Sequence, residues 1–299
     1  MRVIVTGLPY FSKHIHSKLK KHCRGDQFFL LNTYYSYWDR FLYLVLLPFT
    51  DVVYSINGVT HGSKVIDLAI RFKKRIVFHW AGSDVMYARK AFENKIAVRE
   101  YIEKSTHLAC SPWFVDELAT MNIPARFIPL NTAIPGQGRE FPMPDIFSIL
   151  TYIPQNEEKF YGLEHIIQLA RRFPEIPIRI AGMATYPRLL PDNITLLGWI
   201  RNMPEEICRN TVCVRMPEHD GLSFFVIESL VNQRYVIYNQ RFDPCIYASD
   251  DQSLQEKVFE LKLKSERHEL VSNLEGMEYV LKNFNETDIV QNIYRVLKG

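Results

Sequence analysis

No stretch of this chain approaches the roughly 18 to 20 consecutive apolar residues that cross a bilayer. The most apolar run, FLYLVLLPF at 41 to 49, is half that length and contains Pro48. The opening residues, MRVIVTGLPY, have no long apolar core followed by small residues, so they read as a first strand and not as a secretory leader. A cytoplasmic protein is the expectation. Cysteine is sparse: residues 23, 110, 208, 213 and 245 are odd in number and fall at no metal-like spacing, which argues against a disulfide framework and for reduced thiols. No G-x-G-x-x-G follows a first strand, which removes the usual dinucleotide-dependent oxidoreductase. There is no Asp-x-Asp metal motif, and no recognisable nucleic-acid-binding motif accompanies the basic residues.

What the 299 residues do contain is enough apolar content, 47%, for two ordinary cores. The net charge of +3 conceals an asymmetry: residues 1 to 140 hold 19 Lys and Arg against 11 Asp and Glu, and the remainder holds 17 against 22. A basic half joined to an acidic half suggests that the first faces something anionic, phosphates or a membrane surface. Short apolar runs alternate with helical stretches along most of the chain, the pattern of α/β layering over parallel sheets. Strands are expected at 3–7, 28–32, 51–56, 75–80, 106–111 and 125–130. After a proline- and glycine-bearing stretch at 132–145, which reads as a linker, they resume at 147–153, 178–183, 194–200, 211–217 and 235–239. The fold class implied is α/β, two Rossmann-like doubly wound domains facing each other across a cleft, with boundaries at 1–135 and 136–284. A terminal helix at 285–299 is expected to pack back on the first domain. In such sheets ligands bind beyond the C-terminal ends of the strands.

One loop at such an end holds PEHDGLSFFVIESL, residues 217 to 230. Asp220 precedes an apolar helix and Glu228 stands eight positions later. A helix start offers free N–H groups and the positive end of a dipole, a place suited to a diphosphate. The plainer reading of Asp220 is an N-cap. The segment resembles the nucleotide-sugar signature of the retaining GT-B glycosyltransferases of family 4 (glycosyltransferase group 1), in which an acid-Gly-x-x loop precedes a helix with a second Glu eight positions on. Further likeness runs through YIPQNEEKFYGLEHIIQLARRFPEIPIRIAGM, NITLLGWIRNMPEEI, IVFHWAGSDV and ACSPWFVDELATMNIPARFIPL, covering nearly the whole chain in the family's order.

The resemblance implies a division of labour. Glu228 would accept from the nucleotide ribose hydroxyls, Asp220 would contact the transferred sugar, and the amides of Gly221, Leu222 and Ser223 would face the diphosphate. Lys159 and Arg215 would add positive charge there. His79, at the end of a strand, would be catalytic together with Asp220, its imidazole or backbone beside the transferred sugar, and Ser83 and Asp84 would bind acceptor hydroxyls. The chain departs from the family where ILTYIP lacks the customary strand Arg, and where the Gly-rich loop is reduced to Gly7-Leu8-Pro9. No cofactor and no metal are implied: the leaving diphosphate itself takes the acceptor proton, with retention, and catalysis rests on positioning and electrostatics. The basic helix at 12–24 beside the apolar stretch 38–49 suggests a peripheral membrane surface and a lipid-linked or glycan acceptor, with no nucleic-acid partner. Two rivals stay open: a non-catalytic subunit that binds a partner glycosyltransferase or glycan, and a nucleotide-sugar epimerase.

Overall fold

The structure, a computed structural model, describes residues 1–133 and 142–299. Residues 134–141 of the expected linker lie outside the described residues. The chain divides into two compact units, Met1–Thr132 with Glu286–Gly299, and Ala133–Asn285.

Unit 1 begins with β1 (Arg2–Gly7), α1 (Pro9–His22), β2 (Gln27–Leu30), α2 (Tyr37–Leu46), β3 (Val52–Ile56), α3 (Lys64–Arg71) and β4 (Arg75–Trp80). It continues through α4 (Ser83–Glu93), α5 (Arg99–Glu103), β5 (Ser105–Ala109), α6 (Pro112–Ala119) and β6 (Ala125–Phe127). The strands pair in parallel in the order β2-β1-β3-β4-β5-β6. Burial along the central strands β1, β3 and β4 is nearly continuous, with Val3 to Val5, Val52 to Ile56 and Ile76 to Trp80 all buried. That is why the sequence shows apolar runs here instead of alternation. Gly7 has φ +107°, and a Cβ there would stand 2.2 Å from the Ile56 carbonyl oxygen. The glycine that stands for the reduced phosphate loop therefore serves the close approach of β1 to β3, fixed by the Leu8 N–H donating to Ile56 O at 2.8 Å.

Unit 2 contains β7 (Ile149–Tyr152), α7 (Leu163–Arg172), β8 (Ile178–Ala181), β9 (Ile194–Gly198), α8 (Met203–Cys208), β10 (Val212–Arg215), α9 (Phe224–Val231) and β11 (Tyr235–Tyr238). A two-residue strand, β12 (Ile246–Tyr247), and the helices α10 (Asp251–Glu266) and α11 (Leu274–Asn283) follow, and none of these three is legible as a strand or a donor-site element in the sequence. The sheet order is β12-β11-β10-β7-β8-β9, all parallel. A core of Ile149, Ile178, Ile180, Val212, Val214 and Ile237 under Ile166, Leu169, Leu254 and Val258 holds α7 and α10 to one face.

The last helix, α12 (Glu286–Lys298), belongs to unit 1 and packs against α1. Glu286 takes Lys18 Nζ at 3.1 Å, Lys21 Nζ at 2.7 Å and His22 Nε2 at 2.8 Å. Although burial pushes its carboxyl up, the hydrogen bonds from Lys21, His22 and Lys18 outweigh that and hold it down to about 2. Part of the basic face of α1 is thus neutralised within the unit. The crossovers β1-α1-β2 and β2-α2-β3 run in opposite directions along the sheet, and right-handed connections then place α1 and α2 on opposite faces. Consistently, Tyr43 and Leu47 pack with Ile66, Ala69 and Phe78, a cluster that includes no residue of α1. The expectation that the basic helix adjoins the apolar stretch is corrected on this ground.

Candidate functional site

In unit 2 the chain leaves β7 toward β8 on one side, and β10 returns on the other side of β7. The carboxyl ends of β7 and β10 therefore flank the topological switch point, where an open α/β sheet leaves a crevice. Arg215 ends β10 there, between Tyr152 at the end of β7 and Tyr238 at the end of β11. Its Nε donates to Asp220 Oδ2 at 2.8 Å and its Nη1 to Tyr152 O at 3.2 Å, and its guanidinium lies 4.6 Å over the Tyr161 ring. Tyr238 donates to Asp220 Oδ2 at 3.2 Å and to Gly221 O at 2.9 Å. Burial alone would lower the Arg215 pKa, but the Asp220 charge and hydrogen bond hold the guanidinium firmly protonated. Burial, and next the Asp220 charge, push the Tyr238 phenol well up, so it stays a neutral donor.

Asp220 is therefore not the N-cap of α9: that position is Ser223, whose side chain makes no capping hydrogen bond. Arg215 is likewise not a free cation but the partner of Asp220, buried as a hydrogen-bonded pair that fixes the loop before α9. A second fastening presses the loop after β7 onto β10. Gly162 adopts φ +75°, with room for no Cβ, since one would meet Met216 O at 2.2 Å. Beside it, the Glu218 N–H donates to Phe160 O at 2.8 Å. This contact carries Tyr161 under Arg215 and leaves Lys159, two residues earlier, exposed with no ion pair among the described residues.

Glu228 stands apart from these satisfied groups. It lies in the second turn of α9, flanked by the buried Ile227 and Ser229, and its carboxylate has no hydrogen-bond or ion-pair partner among the described residues. Burial raises its pKa from the ordinary carboxylate range to about 7. A half-buried, unpaired acid is costly to keep unless something else supplies its donors. The loop and α9 thus carry a carboxylate without a partner among the described residues, a helix N-terminus, and the hydrogen-bonded Arg215, Asp220 and Tyr238, with the exposed Lys159 on the loop fastened to them.

The unit 1 residues fare differently. His79 is wholly inaccessible, its Nδ1 facing Tyr54 Oη at 2.7 Å and its Nε2 facing Ile128 O at 2.7 Å. Both ring nitrogens are occupied by protein, and burial lowers the pKa to about 4. A side chain so enclosed touches no sugar, so the catalytic reading of His79 is corrected to that of a neutral core residue. Asp84 is also buried. Its two oxygens accept from the amides of Gly58 (2.7 Å), Ala81 (3.0 and 3.1 Å), Gly82 (2.7 Å) and Val85 (3.1 Å). Burial raises its pKa despite these amides. Asp84 thus ties the loop after β3 to the start of α4 and leaves no acceptor capacity for substrate hydroxyls, whereas Ser83 is exposed. His79→Gln should remove one of the two ring contacts in a dry core and cost about 1 to 3 kcal/mol. Chemical denaturation measures this. The sign with pH follows from the depressed pKa: wild-type stability is full above about 6.5 and falls toward pH 4, and the variant lacks that component.

Sequence reasoning missed Tyr152, Tyr161 and Tyr238, although two of them are the last residues of their strands, where a crevice would be sought. It also had no means of seeing that Arg215 and Asp220 bond each other. No group of three or more metal-ligating side chains is assembled among the described residues.

No sequence-family model matches the chain, and no curated protein is similar to it in sequence. Solved structures are similar in fold. Sucrose-phosphate synthase of Thermosynechococcus elongatus superposes with a TM-score of 0.73 at 12% identity, over 100% of this chain and 98% of that one. A glycosyltransferase from Rickettsia africae gives 0.70 at 10%, over 99% and 97%. HepE of Anabaena, solved with UDP and glucose, gives 0.69 at 11%, over 100% and 99%. The fold is the GT-B fold, two six-stranded parallel α/β units.

Proposed function

We propose that this chain is a glycosyltransferase whose second unit binds a nucleotide-diphosphate sugar at the α9 loop. The observation that carries the reading is Glu228: an unpaired, desolvated carboxylate beside a helix start at the switch point, eight residues after Asp220. Ribose hydroxyls would supply the two donors it lacks. The diphosphate would lie at the amides of Gly221, Leu222 and Ser223, with Lys159 adding charge. Arg215 acts through Asp220, as a positioning residue, and Asp220 meets the donor sugar from a fixed orientation. A uridine nucleotide is the first to test, because HepE was solved with UDP-glucose and the fold is shared over the full length.

In this reading transfer proceeds with retention and without a resident metal. The departing diphosphate, held by helix amides and Lys159, accepts the acceptor proton on the face of attack. The acceptor is a glycan or a lipid-linked glycan, met at the inner face of the cytoplasmic membrane. No helix among the described residues is long and apolar enough to cross a membrane. The surface that would touch one is α2, where Tyr37 is 84%, Trp38 66% and Phe41 54% exposed.

A thermal-shift panel of UDP-, GDP-, ADP- and CMP-sugars, with and without EDTA, tests the donor assignment. One base class should raise the melting temperature by mass action, to the same extent with chelator present. Stabilisation by none of them at millimolar concentration would sink the donor site and favour a non-catalytic subunit. Dependence on added magnesium or manganese would overturn the metal-free part.

A further inference from the structure

Unit 1 has its own switch point, between β1 and β3, from which the chain winds outward to β2 on one side and to β4 on the other. A cavity of about 350 Å³ opens there, between Thr6 near the end of β1 and Ser55 near the end of β3. Among the described residues three basic side chains line it, Arg40, His61 and Lys64, and no acidic one does. Neighbouring acids are engaged elsewhere: Asp39 accepts from the Asn32 N–H at 2.8 Å, Asp67 accepts from the Tyr101 hydroxyl, and Asp84, in the adjoining cavity that shares Tyr34, Val59 and His61, accepts from the amides of Gly58, Ala81, Gly82 and Val85. Arg40 is held in place without losing its charge to a counter-ion. Its Nε donates to Thr33 O at 2.7 Å, its Nη2 to Tyr34 O at 2.6 Å, and its guanidinium lies 5.0 Å from the Tyr37 ring centroid. Neither Arg40 nor Lys64 has an ion-pair partner among the described residues. The cavity also meets the first turn of α3, capped by Ser63.

A pocket with a fixed guanidinium, a lysine without an ion pair among the described residues, hydroxyls and a helix start suits a phosphate group. What adjoins it fixes the kind of molecule. Arg40 belongs to α2; Tyr37 and Leu44 lie one turn from it along the same helix, and Phe41 lies one turn beyond Tyr37, all three exposed. Trp38 packs at 5.5 Å from Phe41 and extends the face. Exposed aromatic surface of this density marks a contact site. We propose that unit 1 binds an amphiphile with a phosphate head, the head in the cavity against Arg40, His61 and Lys64 and the apolar chain along the Tyr37, Trp38 and Phe41 face. This deepens the reading of the chain as a glycosyltransferase, since it makes the acceptor a lipid-linked phosphate.

Calorimetric titration of the full chain in low-salt, phosphate-free buffer tests it, with dodecyl phosphate below its micelle concentration, inorganic phosphate, and octyl glucoside as a neutral amphiphile. Dodecyl phosphate should bind at least about tenfold more tightly than inorganic phosphate, and octyl glucoside should not bind. Lys64→Gln, which breaks no side-chain hydrogen bond or ion pair among the described residues, should weaken both phosphate probes by about tenfold, the value of one charge-assisted hydrogen bond. Phe41→Ser should weaken dodecyl phosphate alone. Equal affinity for the two phosphates would overturn the amphiphile in favour of a soluble phosphate ligand, and phosphate binding unchanged in Lys64→Gln would overturn the site. The same preparations carry the nucleotide-sugar thermal shift: if that shift survives while phosphate binding fails, this inference falls and the donor reading stands.

Discussion

Replacing Glu228 with glutamine is expected to weaken nucleotide-sugar binding by about tenfold to a hundredfold above pH 7 and to flatten its pH dependence. The size follows from two hydroxyl donors losing a charged acceptor, with about 1.5 to 3 kcal/mol for hydrogen bonds to charge. The pH dependence follows from the raised pKa, about 7 in the free protein. Ribose hydroxyls favour the ionised form, so wild-type affinity should climb as pH rises from 6 to 8 and level off above. Titrations at a series of pH values measure this, and an equally steep pH profile in the variant would remove Glu228 from the site. Stability moves the other way. A carboxyl whose folded pKa lies above its unfolded value costs nothing below about pH 4.5, costs progressively more toward pH 7, and reaches a penalty on the order of 3 kcal/mol beyond it. Glu228→Gln should therefore melt higher than wild type at pH 8 and no higher at pH 4.5. A substitution that lowers ligand affinity while raising stability is the signature of a functional, not a structural, residue.

Arg215→Met should have the opposite character. It removes the guanidinium that Asp220 bonds and opens the contacts to Tyr152 and Tyr161, so unfolding should become easier by about 3 to 5 kcal/mol, as when one partner of a buried pair is removed. A unit of this size then loses roughly 6 to 20 °C in melting temperature. The double substitution Arg215→Met with Asp220→Leu should recover much of that loss, because both members of the ion pair are then removed together. If the single variant melts within about a degree of wild type, the pair is not the frame of the loop. Donor affinity in the double variant tells whether Asp220 also touches the sugar: unchanged affinity would restrict it to the frame.

These two residues, thirteen apart in the chain, show where sequence reading succeeds and where it stops. All eleven expected strands form; the central ones are buried on both faces and leave apolar runs that a one-dimensional reading detects. The spacing from Asp220 to Glu228 is legible for the same reason, since a helix start and a fixed offset are local. Strand β12, two residues long, leaves no such run. The basic helix α1 looked like a free surface, and its partner Glu286 lies more than 260 residues later.

By itself, the sequence determined the alternation of strands and helices, the GT-B resemblance and the acid at position 228, all set by short-range pattern. Only the tertiary structure decided the state of each charged group. Burial and partner geometry turned His79 and Asp84 into core fixtures, joined Arg215 to Asp220, and left Glu228, Lys159, Arg40 and Lys64 without ion-pair partners among the described residues. Hydrogen-bond partners here come from other strands and loops, and a carboxylate's affinity for a proton depends on the water and charges removed from around it, which no local spacing encodes.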